Sequence, residues 1–197
     1  MNKTKESFAA PVVVLSAICL VVSLALAFTY KIANPIIVRN TEAAAVAARQ
    51  QLLPAADSFD LVENVEMAAS EDGKAAVQEV YSAGNGAGYV MTVNTNSFGG
   101  ALTMMVGVDG EGAITGVKVT EHADTPGVGT KDQDPAYLAQ YSGLTALSSA
   151  GNVKKETASL ANGGTFEFIS GASVSGQAIH SGVAAALSQY AAMGGAQ

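Results

Sequence analysis

The sequence predicts an α+β protein, one domain with an antiparallel sheet and helices behind a single N-terminal transmembrane helix. Three observations predict it. The 23 residues from Phe8 to Tyr30 include no charged side chain. Residues 75–120 alternate apolar and polar side chains, the two-residue period of half-buried strands. Residues 174–192 repeat apolar side chains at the spacing of one helical face.

Composition narrows the function. The 197 residues carry 10 Lys and Arg against 17 Asp and Glu, a net charge of −7. Charged residues make up 14%, well under the roughly 25% of soluble domains. An acidic chain lacks the basic footprint of a nucleic-acid binder, so no nucleic-acid partner is expected. The single cysteine excludes a disulfide framework and a multi-cysteine metal or iron–sulfur site within the chain. With two histidines and no tryptophan, a His-rich metal centre is not expected either.

As a helix, residues 8–30 reach roughly 35 Å, enough for a hydrocarbon core of about 30 Å. Lys3 and Lys5 precede the run and Lys31 follows it. The positive-inside rule then puts the N-terminus in the cytoplasm and the C-terminal bulk outside a cell (inner) membrane crossed once. Ala25-Leu26-Ala27 resembles a signal-peptide cleavage site, but the apolar run exceeds the roughly 7–15 residues of a signal peptide. An uncleaved anchor is expected. Cys19 lies inside it as a small hydrophobe. The expected divisions are a cytoplasmic N-terminus (1–7), the span (8–30), a linker and helix (31–55) and an extracytoplasmic domain (56–197). Past Tyr30 the charge is −8, which suits a domain held near anionic lipid without adhering to it.

Asn34-Pro35 is expected to end the membrane segment. The alanine-rich stretch after it reads as a second helix, capped by Thr41 and stopped by Pro54. Strands follow in AAVQEVYSA, GYVMTVNTNSFGG, ALTMMVGV and AITGVKVT. An Asp109-Gly110 turn joins the last two, a strong hairpin signal. A short helix is expected around Tyr137, a last strand over TFEFIS, and a helix from Val174 to Ala192 with His180 on its polar side.

Two loops carry candidate chemistry. Ser170-Gly171-Ala172-Ser173-Val174-Ser175 leads into the last helix. Its small residues allow close approach, and the hydroxyls of Ser173 and Ser175 stand where an N-cap belongs. Backbone amides there can receive an anion. Taken alone the segment reads as an ordinary helix cap, because serine is a preferred capping residue. His122-Ala123-Asp124-Thr125-Pro126-Gly127-Val128-Gly129 follows a predicted strand. Gly127 and Gly129 can adopt positive φ and expose amides, although a Pro-Gly turn leaving the sheet accounts for the same residues.

Together, and in this order, the two segments resemble the FMN-binding domain shared by the G subunit of the Rnf ferredoxin:NAD oxidoreductase and the C subunit of the sodium-pumping NADH:quinone reductase. The family pattern Asp-x-x-Ser/Thr-Gly-Ala-Thr-x-Ser/Thr is met by Glu167 through Ser175, and His-x-Glu-Thr-Pro-Gly-Leu-Gly by His122 through Gly129. Gly88-Tyr89, Phe98-Gly99-Gly100 and the single span are similar too. Departures from the pattern include Ser173 for Thr, Glu167 for Asp and Asp124 for Glu.

The resemblance implies FMN joined by a phosphoester to Ser173, placed there by a separate flavin transferase. It implies that Ser170, Gly171, Ala172 and Ser175 line the attachment loop. Thr125, Gly127, Val128 and Gly129 would approach the ring or phosphate arm, with Asp124 and His122 adjusting polarity. It further implies an electron-transfer protein, little active alone, in a complex with other Rnf-type membrane subunits that moves Na⁺ or H⁺. The chain length fits the Rnf protein better than its longer relative. Serine keeps the nucleophilic oxygen without the stiffening β-methyl of threonine. Two other readings stay open: an anchored module of the same fold without flavin, and a stand-alone extracytoplasmic flavoprotein reductase.

Overall fold

The computed structural model describes residues 9–147 and 169–195. It divides into two compact units, one ending at Val46 and the other starting at Ala47.

Helix α1 runs Ala9–Leu52 with Pro35 inside it. The expected stop at Asn34-Pro35 and fresh start at Thr41 are therefore corrected to one helix. Proline removes a single i to i−4 hydrogen bond, and the alanines after Thr41 are the strongest helix formers. The lost bond does not end the helix. Leu15, Leu20, Leu24, Leu26 and Phe28 are all exposed. Apolar side chains on every side of a helix this long make it apolar and long enough to cross a bilayer.

The second unit holds a five-stranded antiparallel sheet in the order β1-β2-β3-β4-β5. The strands are β1 Phe59–Leu61, β2 Ala75–Ala83, β3 Gly88–Ser97, β4 Gly100–Asp109 and β5 Ile114–Glu121. Every expected strand over 75–120 is present, which makes the α+β reading correct. The short β1 has no alternation to announce it. Helix α2 Pro135–Leu138 is the short helix expected around Tyr137. Its N-cap Asp134 accepts from the Ala136 amide at 2.8 Å, and Pro135 occupies the first turn. The strand expected over TFEFIS falls mainly on residues outside the described ones; Ile169 and Ser170 lead through a turn into α3, Ser173–Ala192.

Helix α3 covers one face of the sheet. Ile179, Val183 and Ala186 pack with Val77, Met91, Val93, Met104 and Val106 in the main core. A Cβ at Gly182 would stand 2.6 Å from Met104 Sδ, so this glycine lets α3 lie close over β4. The other face of β4 and β5 beds the end of α1. Leu52 O accepts from Thr115 Oγ1, and a Cβ at Gly107 would stand 2.9 Å from that same oxygen. Arg49 lies 3.6 Å over the Tyr81 ring, and Lys118 Nζ donates to Gln51 Oε1 at 2.6 Å. Residues 48–53 thus belong to the domain core: Ala48, Leu52 and Leu53 are buried.

Two local expectations change. The turn between β4 and β5 is longer than an Asp-Gly pair, and its positive-φ residue is Gly112 at +88°, not Gly110. Asp109 Oδ1 accepts from the Glu111 and Ala113 amides, while Tyr190 Oη donates to Gly110 O at 2.8 Å. The aspartate and the distant tyrosine together set the turn. His180 is not on a polar face. It is 1% exposed, its ring 6.0 Å from that of Tyr141. The sequence shows one apolar stripe on α3, but the sheet and the segments around it bury the helix on nearly every side.

Candidate functional site

The site begins with a hairpin tip. Ser97 pairs with Gly100, so β3 and β4 are joined by Phe98-Gly99 alone. Gly99 presses on the next loop: a Cβ there would stand 2.4 Å from Ala123 O and 2.6 Å from the Asp124 amide. Only glycine permits that approach. It leaves Phe98 at the tip, 80% exposed.

Asp124 fastens the pieces together. Its Oδ1 accepts from Ser97 Oγ at 2.8 Å, the Gly99 amide at 2.8 Å and Ser175 Oγ at 3.1 Å. Its Oδ2 accepts from Gln133 Nε2 at 3.3 Å. The carboxylate is buried, yet every charge-bearing oxygen is solvated by protein donors. Gly129 packs on this side chain, since a Cβ there would stand 2.9 Å from Asp124 Cβ.

A cavity of about 390 Å³ lies beside the Asp124 clasp, within the usual range for small-molecule sites. Its walls are the hairpin tip (Phe98), the 124–129 loop and the first turn of α3. The apolar side chains at its mouth, Phe98, Val128 and Val174, are all more than half exposed. Its inner wall is the start of α3. The N-cap of that helix is Ala172, which offers no side-chain cap. The expectation that Ser173 or Ser175 caps the helix is therefore corrected. Ser173 is the first helical residue, and the Ser175 hydroxyl is drawn to Asp124. The amides of Ser173, Val174 and Ser175 have no intrahelical acceptor, and they begin a 20-residue helix. That donor set fits an anionic group, and the mouth fits a flat apolar one.

The structure brings most of the sequence-predicted residues to this cavity: Asp124, Thr125, Val128, Gly129, Gly171, Ala172, Ser173 and Ser175 line it. Three do not line it. His122 and Ser170 lie beside it, both exposed. Gly127 has φ +76° and gives its amide to Thr130 Oγ1 at 2.8 Å. The amide of Gly129 goes to Thr125 O at 3.2 Å, and its φ is not positive. The two glycines therefore shape the loop, while the amides open to an anion are those of α3. Glu167 lies outside the described residues.

Two lining residues, Phe98 and Val174, were not assigned to the site from the sequence, although Phe98 was noted as part of a family-like element. A phenylalanine at the centre of a two-residue hairpin turn is the signal that was available, because turn centres favour polar residues and glycine.

Comparison with known proteins matches residues 97–188 to the FMN-binding domain family. The chain is 33% identical over 187 residues to the G subunit of the Na⁺-translocating ferredoxin:NAD⁺ oxidoreductase complex of Acetobacterium woodii, covering 90% of this chain and 88% of that protein. It is 32% identical over 136 residues to the G subunit of the ion-translocating oxidoreductase complex of Methanosarcina acetivorans, covering 67% of each. With the protein of the same name from Stutzerimonas stutzeri it shares 28% over 190 residues, covering 93% of this chain and 81% of that one.

Proposed function

Because this chain belongs to the family of ion-translocating oxidoreductase complex G subunits and carries its FMN-binding domain, we propose that it is the membrane-anchored electron-transfer component of an Rnf-type complex, with FMN attached through a phosphoester to Ser173. The N-terminus is cytoplasmic and the domain of residues 56–197 extracytoplasmic in this reading. The partners are the other membrane subunits and, during maturation, a flavin transferase.

One observation carries the choice of Ser173. Of the three serines in the loop, Ser175 is 1% exposed and bonded to Asp124. Ser170 does not line the cavity. Ser173 lines the cavity and opens α3, so its oxygen lies beside the amides that favour a phosphate. The flavin supplies the redox chemistry; the protein tethers, orients and surrounds it. Phe98, Val128 and Val174 offer the apolar contact for the ring. Gly171 and Ala172 leave room for the chain between ring and phosphate. Asp124 holds the three walls in register.

Mass spectrometry of the peptide containing Ser173 tests the reading, using the full chain produced with a flavin transferase. An increment of one FMN on that peptide is expected, retained after denaturation and lost in Ser173→Ala. A colourless protein with an unshifted peptide overturns the attachment and favours the anchored module without flavin.

A further inference from the structure

One buried acid takes no part in lining the cavity. Asp132 lies in the 3-10 turn Gly129–Gln133 and is 0% exposed. Neither of its carboxylate oxygens has a hydrogen-bond partner among the described residues, and the same holds for the buried hydroxyl of Tyr137. The two groups face the same point of α3: a Cβ at Gly176 would stand 3.0 Å from Asp132 Oδ2 and 3.4 Å from Tyr137 Oη. The Gly176 amide is itself committed to Ala172 O at 2.9 Å. A side chain at this position would crowd the carboxylate that sits against the first turns of the helix.

The placement is between two openings. On one side is the cavity lined by Asp124, Gly129 and Ser173. On the other is a groove lined by Lys131, Gln133, Asp134 and Tyr137. Asp132 thus touches neither bulk solvent nor the cavity, yet it lies behind the helix start that forms the cavity's inner wall. Charge in the cavity is felt there with little screening. Burial raises its pKa to about 6, with the Gly176 amide opposing and the Asp124 charge adding to the rise. The groups facing it are Asp124 from the 121–129 loop, Tyr137 from α2 and the Gly176 backbone from α3. Tyr137 is in turn next to Tyr141, whose ring neighbours His180.

We propose that Asp132 is a proton-accepting residue coupled to the charge of the cavity, binding a proton from the Tyr137 groove when the cavity gains an electron. The inference rests on the flavin reading above. An upstream one-electron carrier delivers the electron. A hydronium ion entering by the groove past the Tyr137 hydroxyl gives its proton to an Asp132 oxygen and is left there as water. One O–H bond forms on the carboxylate, one breaks in the hydronium ion, and the added electron and proton leave the site's net charge constant. Asp132 acts through the field and touches no reacting atom, so it is a positioning residue.

The test uses the full-length, flavin-loaded protein reduced by dithionite at pH 7, with proton uptake counted by an indicator dye. Asp132→Asn is expected to take up nearly one proton fewer per flavin than the natural chain, with its visible absorbance unchanged. Tyr137→Phe is expected to keep the count and slow the uptake. A second readout needs no variant: the reduced-minus-oxidised infrared spectrum should gain a protonated-carboxyl band. Equal proton counts in the natural chain and Asp132→Asn, or no carboxyl band on reduction, overturn the proposal while the flavin reading stands. A protein that stays colourless after maturation overturns both.

Discussion

Asp124 and Asp132 stand on one segment, both buried, and they are opposites. Asp124 receives hydrogen bonds from the β3–β4 tip, from Gln133 and from α3. Asp132 receives none among the described residues. A buried carboxylate with a full set of donors works as a fastener, because each donor it satisfies is lost when it goes. A buried carboxylate without donors is held at a cost, and its charge state answers to whatever lies near. The difference separates what builds the cavity from what senses it.

The largest effect expected comes from breaking the fastener. Asp124→Ala leaves the Gly99 amide, Ser175 Oγ and Gln133 Nε2 unpaired and Ser97 Oγ with Gly100 O alone, and should lower stability by about 3–5 kcal/mol in denaturant unfolding. A loss below about 1 kcal/mol would equate the two aspartates and break the comparison.

Asp132→Asn should act in the opposite direction. Its folded pKa of about 6 lies above the ordinary 3.8, so the native state holds the proton more tightly than the unfolded chain. Below about pH 4 both states are protonated and no penalty exists. The penalty grows as pH rises through 6 and is complete above it. At pH 8 the variant should therefore be more stable than the natural chain by up to about 3 kcal/mol, with the gain vanishing near pH 3.5. Paired unfolding curves at the two pH values measure it.

Gly129→Ala sharpens the packing side of the contrast. Its Cβ would meet Asp124 at 2.9 Å and should cost about 1–3 kcal/mol. The same variant in an Asp124→Ala background should cost less, because the obstructing atoms are gone; a double-mutant cycle reads the difference.

Asp72 gives the smallest effect and a third case. Burial alone would raise its pKa, but Ser70 and Ser181 hydroxyls and the Lys74 amide together hold it below the ordinary value. Its stabilisation is present above pH 3.8 and is lost as pH falls through the folded pKa. Asp72→Asn should cost about 1 kcal/mol at neutral pH and flatten the acid limb of a thermal-melting profile. An unchanged acid limb would place Asp72 with the unsatisfied group.

Much of this was legible in the residues. The charge-free Phe8–Tyr30 run marks the apolar span, and alternation marks β2 to β5, because both patterns record a local solvent preference. The motif around Ser173 and the Thr125–Gly129 segment were visible as likeness, and both segments contribute to one cavity. Pro35 misled, since one missing amide outweighs neither the apolar run before it nor the alanines after it. Gly129 misled also: it is glycine for the sake of Asp124, not for a positive φ. His180 and Asp132 gave no sign of their burial, because neither lies in an apolar run of its own.

The sequence by itself determined the apolar span, the strand pattern, the acidic charge balance and the family likeness, all of which are read from residue types and their spacing along the chain. The tertiary structure decided which serine of three is left beside open amides, and which aspartate is bonded and which is stranded. Those outcomes depend on Ser97, Asp124, Asp132 and Ser175 meeting across the hairpin tip, the loop and α3. Hydrogen-bond partners and burial belong to the packed arrangement, and no local pattern records them.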